Sequence, residues 1–208
     1  MAFNNSYRPS QSTTPVVLNL IIINAIVFVA QLVFDKTNGQ TSWLTNRLAL
    51  YSIDTGLFEP YQLVTHMFAH AGFFHILFNM YALWLFGAVL ERNWGPKKFL
   101  IFYIVCGLAA ALAQMFLVPQ GAAIGASGAV MGLLAAFAYT YPNIEFFILP
   151  IPFPIKAKYL AAIYAAIDIF GGFSGAGDNV AHFAHLGGLV MGFILVIIWG
   201  KNNKKNWY

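Results

Sequence analysis

Apolar residues run through this chain in blocks too long for strands and too continuous for the one-sided stripe of a soluble helix. Positions 9–34, 60–90, 99–144 and 179–200 hold no charged residue, runs of 26, 31, 46 and 22. Crossing a bilayer as a helix takes about 20 residues. The 46-residue run therefore predicts two passes, broken where Pro119, Gly121 and Gly125 interrupt the apolar pattern. A further apolar stretch between Lys158 and Asp178 contains one charge, Asp168. The pattern predicts six spans, at roughly 16–34, 71–90, 98–118, 126–141, 157–172 and 180–199. The expected fold class is an all-α membrane protein, with residues 16–200 as one six-helix bundle between a tail (1–15) and a basic tail (201–208).

The connections differ in kind. Residues 35–65 mix Trp43, Leu44, Leu48, Leu50, Tyr51 and Phe58 with polar residues, which suits a segment lying at the membrane interface. Residues 171–179 form a glycine-rich loop, expected to be mobile and to act as a lid. Pro150, Pro152 and Pro154 predict a non-helical turn.

Composition agrees with the pattern. Hydrophobic residues make up 60% of the chain, charged ones only 9%, and the mean hydropathy is +0.69. Soluble domains carry about 25% charged residues, so a soluble globular enzyme, a disordered tail and a nucleic-acid-binding domain are all excluded. The lone cysteine, Cys106, rules out an intramolecular disulfide and a Cys-rich metal site. Charge also sets orientation. If the N-terminus is inside, the inner segments carry Arg8, Arg92, Lys97, Lys98, Lys156, Lys158, Lys201, Lys204 and Lys205, against Lys36 and Arg47 outside. Nine to two places both termini on the cytoplasmic side. The location expected is a bacterial inner (plasma) membrane.

Polar groups within hydrocarbon are costly and point to function. They are Asn24, His75, Asn79, Gln114, Ser127, Asp168, His182 and His185. His75, Asn79, Ser127 and His185 fall near the outer ends of the second, fourth and sixth spans, the three that run inward. At about 1.5 Å per residue, His75 lies ~6 Å, Asn79 ~12 Å and His185 ~7.5 Å below the starts of their helices. Ser127 opens the fourth span in Gly125-Ala126-Ser127-Gly128, where unpaired N–H groups favour a developing anion. His185 is placed to serve as the base for a serine nucleophile. His75 and Asn79, four apart on one helix face, are placed to donate to an oxyanion. Gly128 and Gly132 on the fourth span, and Gly188 and Gly192 on the sixth, allow close helix approach and carry His185 towards Ser127.

Three blocks then bring a family into view: FEPYQLVTHMFAHAGFFHILFNMYALWLFGAVLERNWG from position 58, GASGAVMG, and AHFAHLGGLVMG. In order and spacing the chain resembles the rhomboid intramembrane serine proteases. The resemblance implies a Ser127–His185 dyad, with His75, Asn79 and the Ser127 backbone N–H as the oxyanion hole. It favours His185 over His182, because glycines follow His185 at +3 and +7. It implies that Glu91 and Arg92 are structural, that no cofactor or metal is required, and that the substrates are single-span or other membrane proteins met within the lipid bilayer. Two positions depart from the family. Met131 stands where an aromatic often packs beneath the histidine, and Tyr61-Gln62 stands where the long connection often has a Trp-Arg pair.

Other readings stand beside this one. His66 and His70 are expected at the interface, bonded locally. Asp168 is expected to be protonated, near the outer loop or paired with a polar group, with a triad role as the alternative, and Asp178 to cap the last span. A membrane metalloprotein would join His66, His70 and His75 with His182 and His185. A catalytically silent rhomboid-like chaperone or transporter would keep the bundle without the chemistry.

Overall fold

The structure, a computed structural model, describes residues 14–37, 42–147, 153–174 and 180–202. Six long helices carry the chain: α1 (Pro15–Thr37), α2 (Phe73–Trp94), α3 (Pro96–Leu117), α4 (Ser127–Thr140), α5 (Ala157–Ser174) and α6 (His182–Asn202). Each coincides with one of the six apolar segments read from the sequence. Four of them, α1, α2, α3 and α6, are long and apolar enough to cross a membrane. At 14 residues, α4 is about 21 Å long, well short of a ~30 Å hydrocarbon core.

Lipid as solvent inverts the usual surface. On α1, Val17, Leu20, Asn24 and Gln31 form the buried stripe, while Leu18, Ile22, Ile26, Val29 and Val33 are exposed. Spacings of three, four and seven put the first set on one helix face. The opposite face is equally apolar because hydrocarbon, rather than water, meets it. α4 is the central helix, buried almost continuously from Gly128 to Ala138. α5 is the most loosely held: only Ala157, Leu160 and Asp168 are buried, and Ile163, Ile167, Phe170 and Phe173 are exposed.

α2 is not uniform. Its middle, Leu83–Gly87, is a π-helical turn between two α-helical halves. The upper half presents His75 and Asn79, and the lower half ends in Glu91 and Arg92. Glu91, 2% exposed, accepts the N–H groups of Val16 and Val17, each at 2.9 Å. Those are orphan donors of the first turn of α1, so a carboxylate from α2 caps α1. Gly95, at φ 81°, then turns the chain into α3, which opens with Pro96.

The long connection is ordered over its described part. Leu50–Tyr51 pairs antiparallel with Ala122–Ala123, and the Ser52 N–H donates to the Gly121 carbonyl at 3.1 Å. Gln62, 2% exposed, ties the segment to itself: Oε1 accepts the Tyr51 N–H, Nε2 donates to Leu57, and its carbonyl accepts from His66 Nδ1 at 2.8 Å. On the other side of the bundle, Glu145–Phe146 pairs with Ile155–Lys156 and closes the proline-containing connection, of which 148–152 lie outside the described residues.

One boundary corrects the sequence reading. Residues 171–174 are not loop but the last turn of α5. Gly171 and Gly172 act there as flat surfaces for packing: a Cβ at Gly171 would lie 2.3 Å from His182 Nε2, and one at Gly172 3.1 Å from the Phe183 ring. The rest of the expected lid, 175–179, and the expected cap Asp178 lie outside the described residues.

Candidate active site

Two helices that touch backbone to backbone set the site. A Cβ at Gly188 would lie 1.8 Å from the Gly128 carbonyl oxygen, and one at Gly192 2.4 Å from that of Gly132. Only glycine permits α6 to approach α4 so closely. The approach brings the starts of both helices together, and Ser127 Oγ lies 2.8 Å from His185 Nε2 across 58 residues of sequence.

The segment leading into Ser127 is held from several sides. The Gly125 N–H donates to the His66 carbonyl at 2.8 Å, and Ala122–Ala123 sits in the strand pair already described. Gly125 has φ 122°, which disfavours any side chain, and a Cβ there would lie 2.8 Å from His75 Nε2. The His75 ring therefore faces the turn that delivers Ser127. Asn79, one turn further down α2, spends one amide N–H on the His75 carbonyl at 2.9 Å, which leaves its second for another acceptor.

His75, Asn79, Ser127, Met131 and His185 all line one cavity of about 1130 Å³. Its walls include Phe78 and Leu85 of α2 and Leu160 and Tyr164 of α5. The site thus lies between α2 and α5, with both polar and apolar side chains on its border.

The remaining histidines go elsewhere. His66 and His70 are buried, at 5% and 2% exposure, rather than resting at an interface. His66 bonds Gln62 as local bonding requires, whereas neither ring nitrogen of His70 has a partner among the described residues. Burial lowers both imidazoles from 6.5 to about 4, and for His70 the neighbouring His75 adds to the effect. Among the described residues no cluster of three or more His, Cys, Asp or Glu side chains is placed to hold a metal.

Asp168 answers a question that the sequence left open. It is 2% exposed, and its Oδ1 lies 3.0 Å from His185 Nδ1 and 2.9 Å from His182 Nδ1. Gln62 and Gly171 also contribute contacts that pattern reading did not assign, whereas Gly125 was among the residues expected to support the site.

The Rhomboid domain family model matches residues 57–202. Among curated relatives, the rhomboid protease GluP of Bacillus subtilis is 34% identical over 143 residues, 68% of this chain and 26% of its own length. RHOMBOID-like protein 11, chloroplastic, of Arabidopsis thaliana is 29% identical over 191 residues, 88% of this chain and 64% of its own. Putative rhomboid protease YdcA of B. subtilis is 26% identical over 194 residues, 93% of this chain and 92% of its own. The chain spans from 26% to 64% of the lengths of GluP and the chloroplastic relative respectively. With these matches over most of its length and its long apolar helices, the chain is an integral membrane protein and belongs to the rhomboid family.

Proposed function

We propose that this chain is an intramembrane serine endopeptidase, with Ser127 as nucleophile and His185 as base. One observation carries the reading: the 2.8 Å contact between Ser127 Oγ and His185 Nε2 inside a cavity that borders lipid-facing helices. The names of the relatives GluP and YdcA support the same class of activity.

In this reaction Ser127 Oγ attacks the carbonyl carbon of the scissile peptide bond while its proton passes to His185 Nε2. The oxyanion that forms is met by His75, the free N–H of Asn79 and the Ser127 backbone N–H, each such donor being worth about 2.7–4 kcal/mol. His185 then returns the proton to the leaving amine, the C–N bond breaks, and an acyl-enzyme remains. Water attacks the ester, His185 takes its proton and hands it back to Ser127 Oγ, and the second product leaves. Met131 lines the same cavity as His185 and presents a polarizable thioether to it. No step needs a cofactor or metal.

The six helices are read as six crossings with both termini cytoplasmic, following the distribution of Lys and Arg. The short α4 is then sunk within the bundle, and the site lies below the outer surface. A substrate membrane segment enters between α2 and α5, with the loosely packed α5 as the moving wall. A bacterial plasma membrane is the location read for it, and its relatives include both bacterial and organellar proteins. A silent chaperone-like role has no observation in its favour, since serine and histidine are both present and in contact.

The test uses the reconstituted protein, a membrane-spanning substrate and a fluorophosphonate probe. Ser127→Ala and His185→Ala are each expected to abolish cleavage while leaving the thermal unfolding temperature within a few degrees, with the probe mapped to Ser127. Turnover by Ser127→Ala at the wild-type rate, or labelling at another residue of an active preparation, would overturn the proposal.

A further inference from the structure

The reaction just described uses Ser127, His185, His75 and Asn79 and leaves a buried carboxylate beside them without a task. Asp168 is the one acidic residue of α5, and a charge buried there is costly unless it is paired. Both of its ring contacts fall on a single atom, Oδ1; Oδ2 has no partner among the described residues.

A carboxylic acid would donate its one proton to one ring and accept an N–H from the other, whereas a carboxylate oxygen accepts from both. The carboxylate treats the two rings alike, in keeping with their near-equal distances of 2.9 and 3.0 Å. With a hydrogen on each Nδ1, both neutral imidazoles carry their lone pair on Nε2. For His185 that is the nitrogen 2.8 Å from Ser127 Oγ. The other tautomer would put N–H on Nε2, pointing at the hydroxyl it must deprotonate.

His182 is built into the arrangement. Its ring lies flat on Gly171, three residues after Asp168, where any side chain would collide with it. Its bond to Oδ1 fixes the carboxylate against the face of α6 that carries His185, one turn along the same helix.

We propose that Asp168 is a positioning residue: it holds His185 in the Nδ1–H tautomer with Nε2 aimed at Ser127, and His182 holds Asp168. The proposal deepens the protease reading and rests on it. When the Ser127 proton moves to Nε2, Nδ1–H stays on the ring, Asp168 takes no proton, and its charge faces the imidazolium that has formed.

The experiment compares Asp168→Asn, His182→Gln and Ser127→Ala with the wild type, all as the whole reconstituted protein. Asp168→Asn is expected to lower kcat by about 10²-fold or more, the share of a well-aimed general base, with KM nearly unchanged. His182→Gln, which keeps a donor for Asp168, is expected to cost less than about tenfold by the same reasoning. In wild-type protein labelled with ¹⁵N-histidine, neutral His185 should show a protonated Nδ1 and a bare Nε2. A kcat within threefold of wild type for Asp168→Asn, a loss carried by KM alone, or a neutral His185 protonated on Nε2 would each overturn the assignment. If Asp168→Asn does not fold, the tautomer measured in the wild type decides. An active Ser127→Ala defeats the protease reading itself, whereas an inactive Ser127→Ala beside an unimpaired Asp168→Asn defeats only the role of Asp168.

Discussion

Two histidines in the connection before α2 are kept uncharged by burial. His66 and His70 bind protons at about 6.5 in an unfolded chain but only at about 4 in this fold. Between those values the unfolded state takes up protons that the folded state refuses, so stability is present above about pH 6.5 and is lost as pH falls towards 4. Thermal unfolding in detergent should therefore drop across that interval. His70→Phe, which keeps a ring beside His75 and removes one of the two groups, should flatten the drop measurably.

Single residues were legible in the sequence where one helix sufficed to place them. Ser127 before a helix, His75 and Asn79 on one face, and His185 above two glycines all follow from local spacing. Asp168 did not, because its partner depends on how α5 is rotated against α6, and 17 residues of chain separate it from His185. Gln62 was passed over for a related reason: its bonds run to Tyr51, Leu57 and His66 within a non-periodic segment.

At the level of elements, the contact between α4 and α6 has the least room for change. Gly188→Ala would drive a methyl group into a backbone carbonyl 1.8 Å away, and backbone cannot step aside as a flexible side chain can. Overpacking usually costs about 1–3 kcal/mol, and here it should also part Ser127 from His185. The expected outcome is a lower unfolding temperature together with at least tenfold slower cleavage. Gly200→Ala on the same helix, with nothing within 4 Å, is the control and should leave both unchanged. All six apolar segments were readable as helices, because hydrocarbon demands long apolar runs. The end of α5 was not: glycines that look like loop are, at 171 and 172, landing sites for the rings of His182 and Phe183.

Across the whole molecule, Glu91 fastens α1 to the rest of the bundle. It serves two backbone donors that the start of α1 would otherwise leave without an intrahelical partner, and charge-assisted bonds of this kind contribute about 1.5–3 kcal/mol each. Glu91→Ala should lower stability by about 3 kcal/mol, read as a fall in unfolding temperature, and α1 should become the helix cut first by protease. The Ser127–His185 contact should survive, so residual cleavage at permissive temperature should stay within about tenfold of wild type.

The π-helical turn of α2 has a consequence for that arrangement. One surplus residue in a helix swings everything beyond it by about 100°, a single residue's share of a turn. α2 thereby serves two clients on different bearings, the cavity-lining His75 and Asn79 above Leu83 and the anchor for α1 below Gly87. Drawn as an unbroken spiral, the same sequence would satisfy one client and turn its back on the other. The inserted residue is a phase shifter, and any change of length inside it would uncouple the chemistry at one end of the helix from the scaffold at the other.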